Sequence, residues 1–237
     1  MLPSAPETHS FGVEIQCRYL LQVPPEVSHG AVLVVALHGY GSNPEDMLRL
    51  TAAAVGPEHI IASLQAPNQH YVDQGVPGKH RLAAYNWGVQ YHWEESVRVH
   101  HEMVSKILVA LRHRFKLART QCLLMGFSQP VGLNYRFAGT YPDQLGGLVG
   151  ICGGVPRDWD SEKYRPVTAP ILHISREEDE FYPQPVAAEF PGRLRKHASD
   201  IEFHMLPGKH RFPSKAGPLI RKWMARVYAG RGESLAG

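Results

Sequence analysis

A mostly parallel β-sheet covered by helices on both faces, the α/β class, is the fold the sequence predicts. Three observations carry it. Short apolar, β-branched runs alternate along the chain with segments of helical periodicity, the order of a doubly wound sheet. At 237 residues the chain fits one such domain with a full core. The run Cys122 to Met125 ends at Gly126 and passes through Ser128 into a helix-like segment. Such a strand-to-helix corner lifts a serine hydroxyl above the edge of a parallel sheet.

In chain order, residues 1–10 read as a loose tail. Gly12 to Val23 alternates Val13, Ile15, Cys17, Tyr19 and Leu21 against polar neighbours, as an antiparallel edge strand does. Pro24, Pro25 and Gly30 mark a turn. Ala31 to Leu37 is a continuous apolar run, expected of a strand buried on both faces. Asn43 is the expected N-cap of a helix from Pro44 to Val55. His59 to Leu64 is the next strand. Residues 65–93 hold many rings together with Gly75, Pro77, Gly78 and Gly88, and read as a long loop of the kind that walls a pocket or packs on itself. Glu94 to Leu117 is a long helix with an apolar stripe of Val97, His101, Val104, Ile107, Leu108 and Leu111. Its basic end, Arg112 to Lys116, complements the helix dipole. A helix from Gln129 to about Gly139 follows the Ser128 corner. Leu145 to Cys152, Pro170 to Ser175 and Asp200 to Leu206 read as strands. Gln184 to His197 and Pro213 to Tyr228 read as helices. No internal repeat or long linker divides the chain, so residues 11–230 form one expected domain and 231–237 a C-terminal tail.

Composition excludes several classes of function. A net charge of +3, with no basic stripe, gives no nucleic-acid footprint. The longest clean apolar run, Ala31 to Leu37, is too short to insert stably in a membrane. The start has neither the basic nor the apolar region of a signal peptide. Cys17, Cys122 and Cys152 are far apart and odd in number, as for free thiols in a reducing compartment, and a cytoplasmic location is the default expectation. The 14 histidines show no H-E-x-x-H or paired-cysteine spacing. No metal and no cofactor is expected.

A serine hydroxyl needs a base in reach, a group that orients the base, and donors for the oxyanion. Where the nucleophile stands on such a corner, the partners follow in the order serine, acid, histidine. His197, His204 and His210 lie downstream. His197 falls in a helix and His204 in a strand, whereas His210 sits in the loop after the last strand, where a parallel sheet presents its chemistry. The acid belongs after the strand ending at Ser175, where Glu177, Glu178, Asp179 and Glu180 compete, and spacing alone does not choose among them. One oxyanion donor is the backbone N–H of Gln129. The second is expected from the turn His38-Gly39-Tyr40-Gly41, at Tyr40. Pro130 is compatible with this, since the hole uses the preceding N–H and proline is accepted in a helix's first turn.

Five pieces together resemble the phospholipase/carboxylesterase family of α/β hydrolases, which includes the acyl-protein thioesterases. They are Leu37-His38-Gly39-Tyr40-Gly41, Gly126-Phe127-Ser128-Gln129, Ile151-Cys152-Gly153-Gly154, Asp179 with Pro183, and Gly208-Lys209-His210, and they span roughly residues 31–225. The resemblance implies the α/β-hydrolase fold with little or no cap domain. It selects Asp179, four residues before the proline, as the acid beside Ser128 and His210. It also implies a cofactor-free serine carboxylesterase acting on small-molecule carboxylic esters or thioesters. Two departures stand out. Pro130 replaces the family's glycine, and Tyr71, Trp87, Tyr91 and Trp93 crowd the stretch where the family builds an acyl-chain surface. Rings with polar tips suit a short or aromatic acyl group. Two rival readings remain open: a non-catalytic binding module on a hydrolase scaffold, and a long-chain lysophospholipase or acyl-protein thioesterase. The sequence leaves monomer and homodimer equally open.

Overall fold

The computed structural model describes residues 7–73 and 81–229. The expected tails at 1–10 and 231–237 fall outside them except for 7–10, which are exposed; Gly75, Pro77 and Gly78 also fall outside. The elements follow the alternation in the sequence. They are β1 (Tyr19–Gln22), β2 (Leu33–Leu37), α1 (Pro44–Val55), β3 (Ile60–Leu64), β4 (Asn68–Val72), β5 (Leu82–Asn86), α2 (Trp93–Phe115), β6 (Cys122–Phe127) and α3 (Gln129–Thr140). Then come β7 (Gly147–Ile151), β8 (Ile171–Arg176), α4 (Gln184–Ala187), α5 (Phe190–Arg195), β9 (Ile201–Leu206) and α6 (Ala216–Tyr228).

Seven strands form one sheet in the order β1-β3-β2-β6-β7-β8-β9. Only β1 runs antiparallel to its neighbour. Each central strand is buried on both faces, and its alternate residues feed two separate cores. Leu33, Val35 and Leu37 of β2 meet the core built with α2 and α3; Val34 and Ala36 meet the core built with α1 and α6. The strand order reverses between β2 and β6, because β2 pairs with β3 on one side and β6 on the other. A crevice opens at the carboxyl ends of strands flanking such a reversal.

Local chemistry sets the helix ends. The Asn43 side chain accepts the Asp46 N–H at 2.8 Å, and Pro44, Glu45 and Asp46 fill the first turn of α1. Lys116 closes α2 in the left-handed conformation, φ 53°, after Arg112, His113 and Arg114.

Three expectations are corrected. The edge strand is only Tyr19–Gln22, since its partner β3 stops at Leu64 and residues 12–18 have no strand left to pair with. The helix expected over 184–197 is two short ones, because Pro191 lacks the N–H that would continue α4 into α5. Residues 65–93 are not simply a loop. They carry the antiparallel pair β4 and β5; β4 begins Asn-Gln-His and β5 runs Leu-Ala-Ala-Tyr, and neither alternates apolar with polar residues.

The cores also hold histidines. On β8, His173 Nδ1 pairs with the Tyr135 hydroxyl at 2.6 Å and Nε2 with Ser175 Oγ at 3.1 Å. Burial lowers its pKa to about 3. His101 on α2 is lowered to about 4, chiefly by burial, and His100 falls well below its usual value for the same reason. The unfolded chain protonates these rings below about pH 6.5, whereas the folded chain keeps them neutral. Their contribution is therefore complete above pH 6.5 and is lost as the pH falls towards 4. The denaturation midpoint should drop steadily over that window. Replacing His101 by Phe should flatten the slope by about one proton, roughly 1.4 kcal/mol per pH unit. A stability that does not change between pH 6.5 and 4.5 contradicts this account.

Candidate active site

The corner after β6 is a strained turn. Ser128 holds φ 64° and ψ −117°, a conformation that L-residues rarely adopt and that the surrounding packing must maintain. Its N–H donates to Ile151 O at 2.8 Å, and the Val131 N–H donates back to Ser128 O at 3.1 Å. The turn brings α3 onto the strand so closely that a Cβ at Gly126 would lie 2.7 Å from Asn134 Nδ2 and 3.3 Å from Val131 N. Gly126 is thus small for a steric reason. Pro130 sits in the first turn of α3, where a helix has no partner for the missing N–H.

Two neighbouring loops bring the other side chains. Beyond β8 and β9 the Glu177 N–H donates to Leu206 O and the Glu178 N–H to Gly208 O, both at 3.0 Å, which binds the two loops together. Gly208 turns the second loop with φ 116°. The Ser128 hydroxyl lies 2.8 Å from His210 Nε2, and His210 Nδ1 lies 2.7 Å from Asp179 Oδ2. The other carboxylate oxygen, Asp179 Oδ1, accepts the N–H groups of Phe181 (2.9 Å) and Tyr182 (3.0 Å). Asp179 is 3% exposed, while Glu177, Glu178 and Glu180 are exposed. Glu180 accepts the His210 backbone N–H at 3.1 Å. That bond and its own N–H lower its pKa, and it helps seat the histidine loop. Phe127 and Phe181 flank the imidazole, with ring centroids at 5.4 and 4.7 Å.

The turn after β2 faces the same corner. A Cβ at Gly39 would stand 3.2 Å from Ser128 Cβ, so the backbone approaches closely there. His38 is buried and fixes the turn. Its Nε2 accepts the Ala66 N–H at 3.1 Å and its Nδ1 donates to Gly39 O at 2.8 Å. Burial lowers its pKa, so the ring stays neutral and serves as donor and acceptor at once. Trp87 Nε1–H donates to His38 O at 2.8 Å. The Gln129 side chain accepts the Trp87 N–H at 2.9 Å and donates to Gly88 O at 2.7 Å. Gly41 N–H donates to Tyr85 O at 3.0 Å. The β4–β5 segment is thereby tied to both the turn and the corner. Among the described residues no hydrogen bond takes the Tyr40 or Gln129 N–H.

A cavity of about 450 Å³ opens over Ser128 and His210, with Tyr40, Trp93, Gln129 and Arg136 on its wall. The structure separates the four expected pocket rings. Trp93 lines the cavity. Trp87 is fully buried beneath it and is a core plug, not a wall, while Tyr71 (72% exposed) and Tyr91 (76% exposed) lie outside the cavity. Density of rings in a sequence does not reveal where each ring ends: Tyr71 is on β4, Trp87 and Tyr91 follow β5, and Trp93 opens α2. Phe181, Tyr182 and Arg136, which do line it, were not expected. For Arg136 a signal existed, because Ser128, Gly132 and Arg136 fall at helical spacing on one face. His100 and His101 on α2 are both buried; His100 donates to Asn134 Oδ1 at 3.0 Å behind the corner.

Comparison with known proteins follows the same lines. No curated protein matches the sequence. The fold is similar to that of a carboxylesterase from Bacillus cereus, with a TM-score of 0.69, 17% identity, and 89% of this chain and 94% of that one covered. A carboxylesterase from Mesorhizobium loti gives 0.71 at 15% identity over 88% and 94%. Arabidopsis thaliana SOBER1 gives 0.64 at 18% identity over 83% and 99%. At such identities the likeness is one of fold. Residues 22–225 match the family model described as phospholipase/carboxylesterase. The chain belongs to the phospholipase/carboxylesterase family of α/β hydrolases.

Proposed function

We propose that the protein is a serine esterase that cleaves small carboxylic esters or thioesters through an acyl-enzyme on Ser128. The observation that carries this is the chain of contacts from Asp179 through His210 to Ser128, at 2.7 and 2.8 Å, on a strained strand-to-helix corner. As Ser128 Oγ attacks the substrate carbonyl carbon, its proton passes to His210 Nε2. Asp179 holds the imidazole in the required tautomer and stabilises the imidazolium. The carbonyl oxygen becomes an oxyanion and accepts the N–H groups of Tyr40 and Gln129. Collapse expels the alcohol or thiol, which takes the proton from His210. Water then attacks the acyl-enzyme with His210 as base, and Ser128 is released with the carboxylic acid. The reaction requires no cofactor. Three free thiols, two of them buried, fit a reducing, cytoplasmic setting.

Ser128→Ala should abolish ester hydrolysis and fluorophosphonate labelling in a folded protein; substantial residual turnover would refute the assignment. Asp179→Asn should lower kcat by orders of magnitude, while Glu177→Gln, Glu178→Gln and Glu180→Gln should each do far less. An inactive Glu178→Gln beside an active Asp179→Asn reverses the assignment of the acid.

The size and lining of the cavity support short or aromatic acyl groups. Each added methylene helps by about 0.8 kcal/mol only while it finds apolar surface. The kcat/KM series of p-nitrophenyl esters should rise from acetate, peak at a short chain and then fall. Trp93→Ala should move the peak to longer chains. Trp87→Ala should lower stability and leave the position of the peak unchanged. A series that climbs through palmitate favours the long-chain reading instead.

A further inference from the structure

Among the described residues that line the cavity, Arg136 is the only one with a fixed positive charge. It stands two turns along α3 from Ser128, on the same face as Gly132. Its guanidinium folds back towards the corner, with Nη1 donating to Gly132 O at 3.2 Å. Gly132 has no side chain to cover it. The nearest neighbours of a Cβ there would be Gly154 O at 3.4 Å and Arg136 Nη1 at 3.5 Å. The guanidinium carbon also lies 5.4 Å from the centroid of the Trp93 ring.

The hydrogen bonds of Arg136 leave two of its N–H groups unused. Nε and Nη2 donate to Asp158 at 3.2 and 2.6 Å. One N–H of Nη1 goes to Gly132. Of the five N–H groups of an arginine, the remaining two are one on each terminal nitrogen. Two N–H groups on adjacent terminal nitrogens are what a carboxylate needs for a charge-assisted pair of bonds, a fork. No described residue accepts from that fork. Asp158 holds the plane in place and is itself shared with Lys163 (3.5 Å) and the Tyr164 hydroxyl (3.2 Å). A guanidinium on the cavity wall, oriented by a fixed partner and with N–H groups to spare, is a preorganised anion receptor.

The end of the substrate that meets Arg136 follows from the chemistry. His210 must return its proton to the leaving oxygen, so the leaving group lies on the side of His210 and Phe181. A groove lined by Tyr40, Val89, Trp93 and Gln129, without His210, joins the cavity through Trp93. The acyl group is thus directed away from His210 towards Trp93, whose ring lies 5.4 Å from the Arg136 guanidinium carbon. The Gly132 carbonyl that Nη1 touches is one helical turn, about 6 Å, from Ser128, a gap that about two to four methylenes span.

We propose that Arg136 is a specificity-determining residue that binds a carboxylate at the far end of the acyl group, so that half-esters of short dicarboxylic acids are the preferred substrates. The inference rests on the reading of Ser128 as the nucleophile. The test compares monoethyl succinate, glutarate and adipate with their neutral isosteres ethyl butyrate, valerate and hexanoate, by release of ethanol. At least one half-ester should exceed its isostere in kcat/KM by roughly 10- to 100-fold, the worth of a hydrogen-bonded charge, with most of the difference in KM. Arg136→Gln should erase that ratio, and Arg136→Lys, which keeps the charge and loses the fork, should retain part of it. Where Arg136→Gln does not fold, the double variant with Asp158→Asn replaces the ion pair by an amide pair and gives the same reading. Free glutarate should inhibit wild-type hydrolysis of ethyl valerate competitively, and should not inhibit the variant. Hydrolysis of neutral esters that depends on Ser128, with no half-ester preference and no inhibition by glutarate, overturns the inference and leaves the esterase standing. A folded Arg136→Gln protein that keeps the wild-type ratio also overturns it. Failure to hydrolyse any ester brings down both.

Discussion

Ser128 is held at φ 64° between a buried strand and the first turn of α3, and the geometry of the whole site depends on that turn staying closed. Closure requires that nothing larger than hydrogen stand at Gly126, where Asn134 and the α3 backbone come within contact distance. It also requires anchoring from β7, which supplies the Ile151 carbonyl to the Ser128 N–H. A conformation of this kind costs on the order of 1–3 kcal/mol and survives only where packing over-determines it. Here β6 lies in the middle of the sheet, buried on both sides, so the cost is borne by the most rigid part of the fold.

The reversal of strand order beside β6 has a second consequence. It leaves a crevice between the carboxyl ends of β2 and β6, and the turn after β2 folds over it. Backbone N–H groups aimed into such a crevice can be useful only if they are rigid and unclaimed. His38, Trp87 and the Gln129 side chain provide the rigidity by absorbing the neighbouring backbone groups. Side chains are thus spent on positioning the turn, while the Tyr40 and Gln129 N–H groups keep no partner among the described residues. The β4–β5 segment takes part in this support through Tyr85, Trp87 and Gly88.

The same division between support and chemistry separates the carboxylates. Asp179 is buried and saturated by two backbone N–H groups and His210, so its charge is both stabilised and directed. Glu180 sits one residue away in solvent and holds only the backbone of the histidine loop. Asp158 performs a comparable task for Arg136, holding Nε and Nη2 of a guanidinium that stands on the cavity wall.

By itself, the sequence determined the α/β alternation, most element boundaries to within a residue or two, the serine corner and the loop that bears His210. Each of these is written in local pattern: buried runs bounded by Gly and Pro, helical periodicity, and a small residue where a turn leaves no room. Choosing Asp179 from four carboxylates needed the family pattern, because residues 177–180 are chemically alike along the chain and differ only in which one the β8 and β9 loops enclose. The pair β4 and β5 escaped notice because neither Asn68–Val72 nor Leu82–Asn86 alternates apolar with polar residues. Trp87 and Trp93, six residues apart in one ring-rich stretch, end in a core and on a cavity wall respectively. Arg136 gains its meaning only when α3, the loop carrying Asp158 and Trp93 converge. These outcomes are settled by contacts between residues distant in sequence, and a linear pattern of hydrophobicity and turn chemistry contains no record of which distant groups will meet.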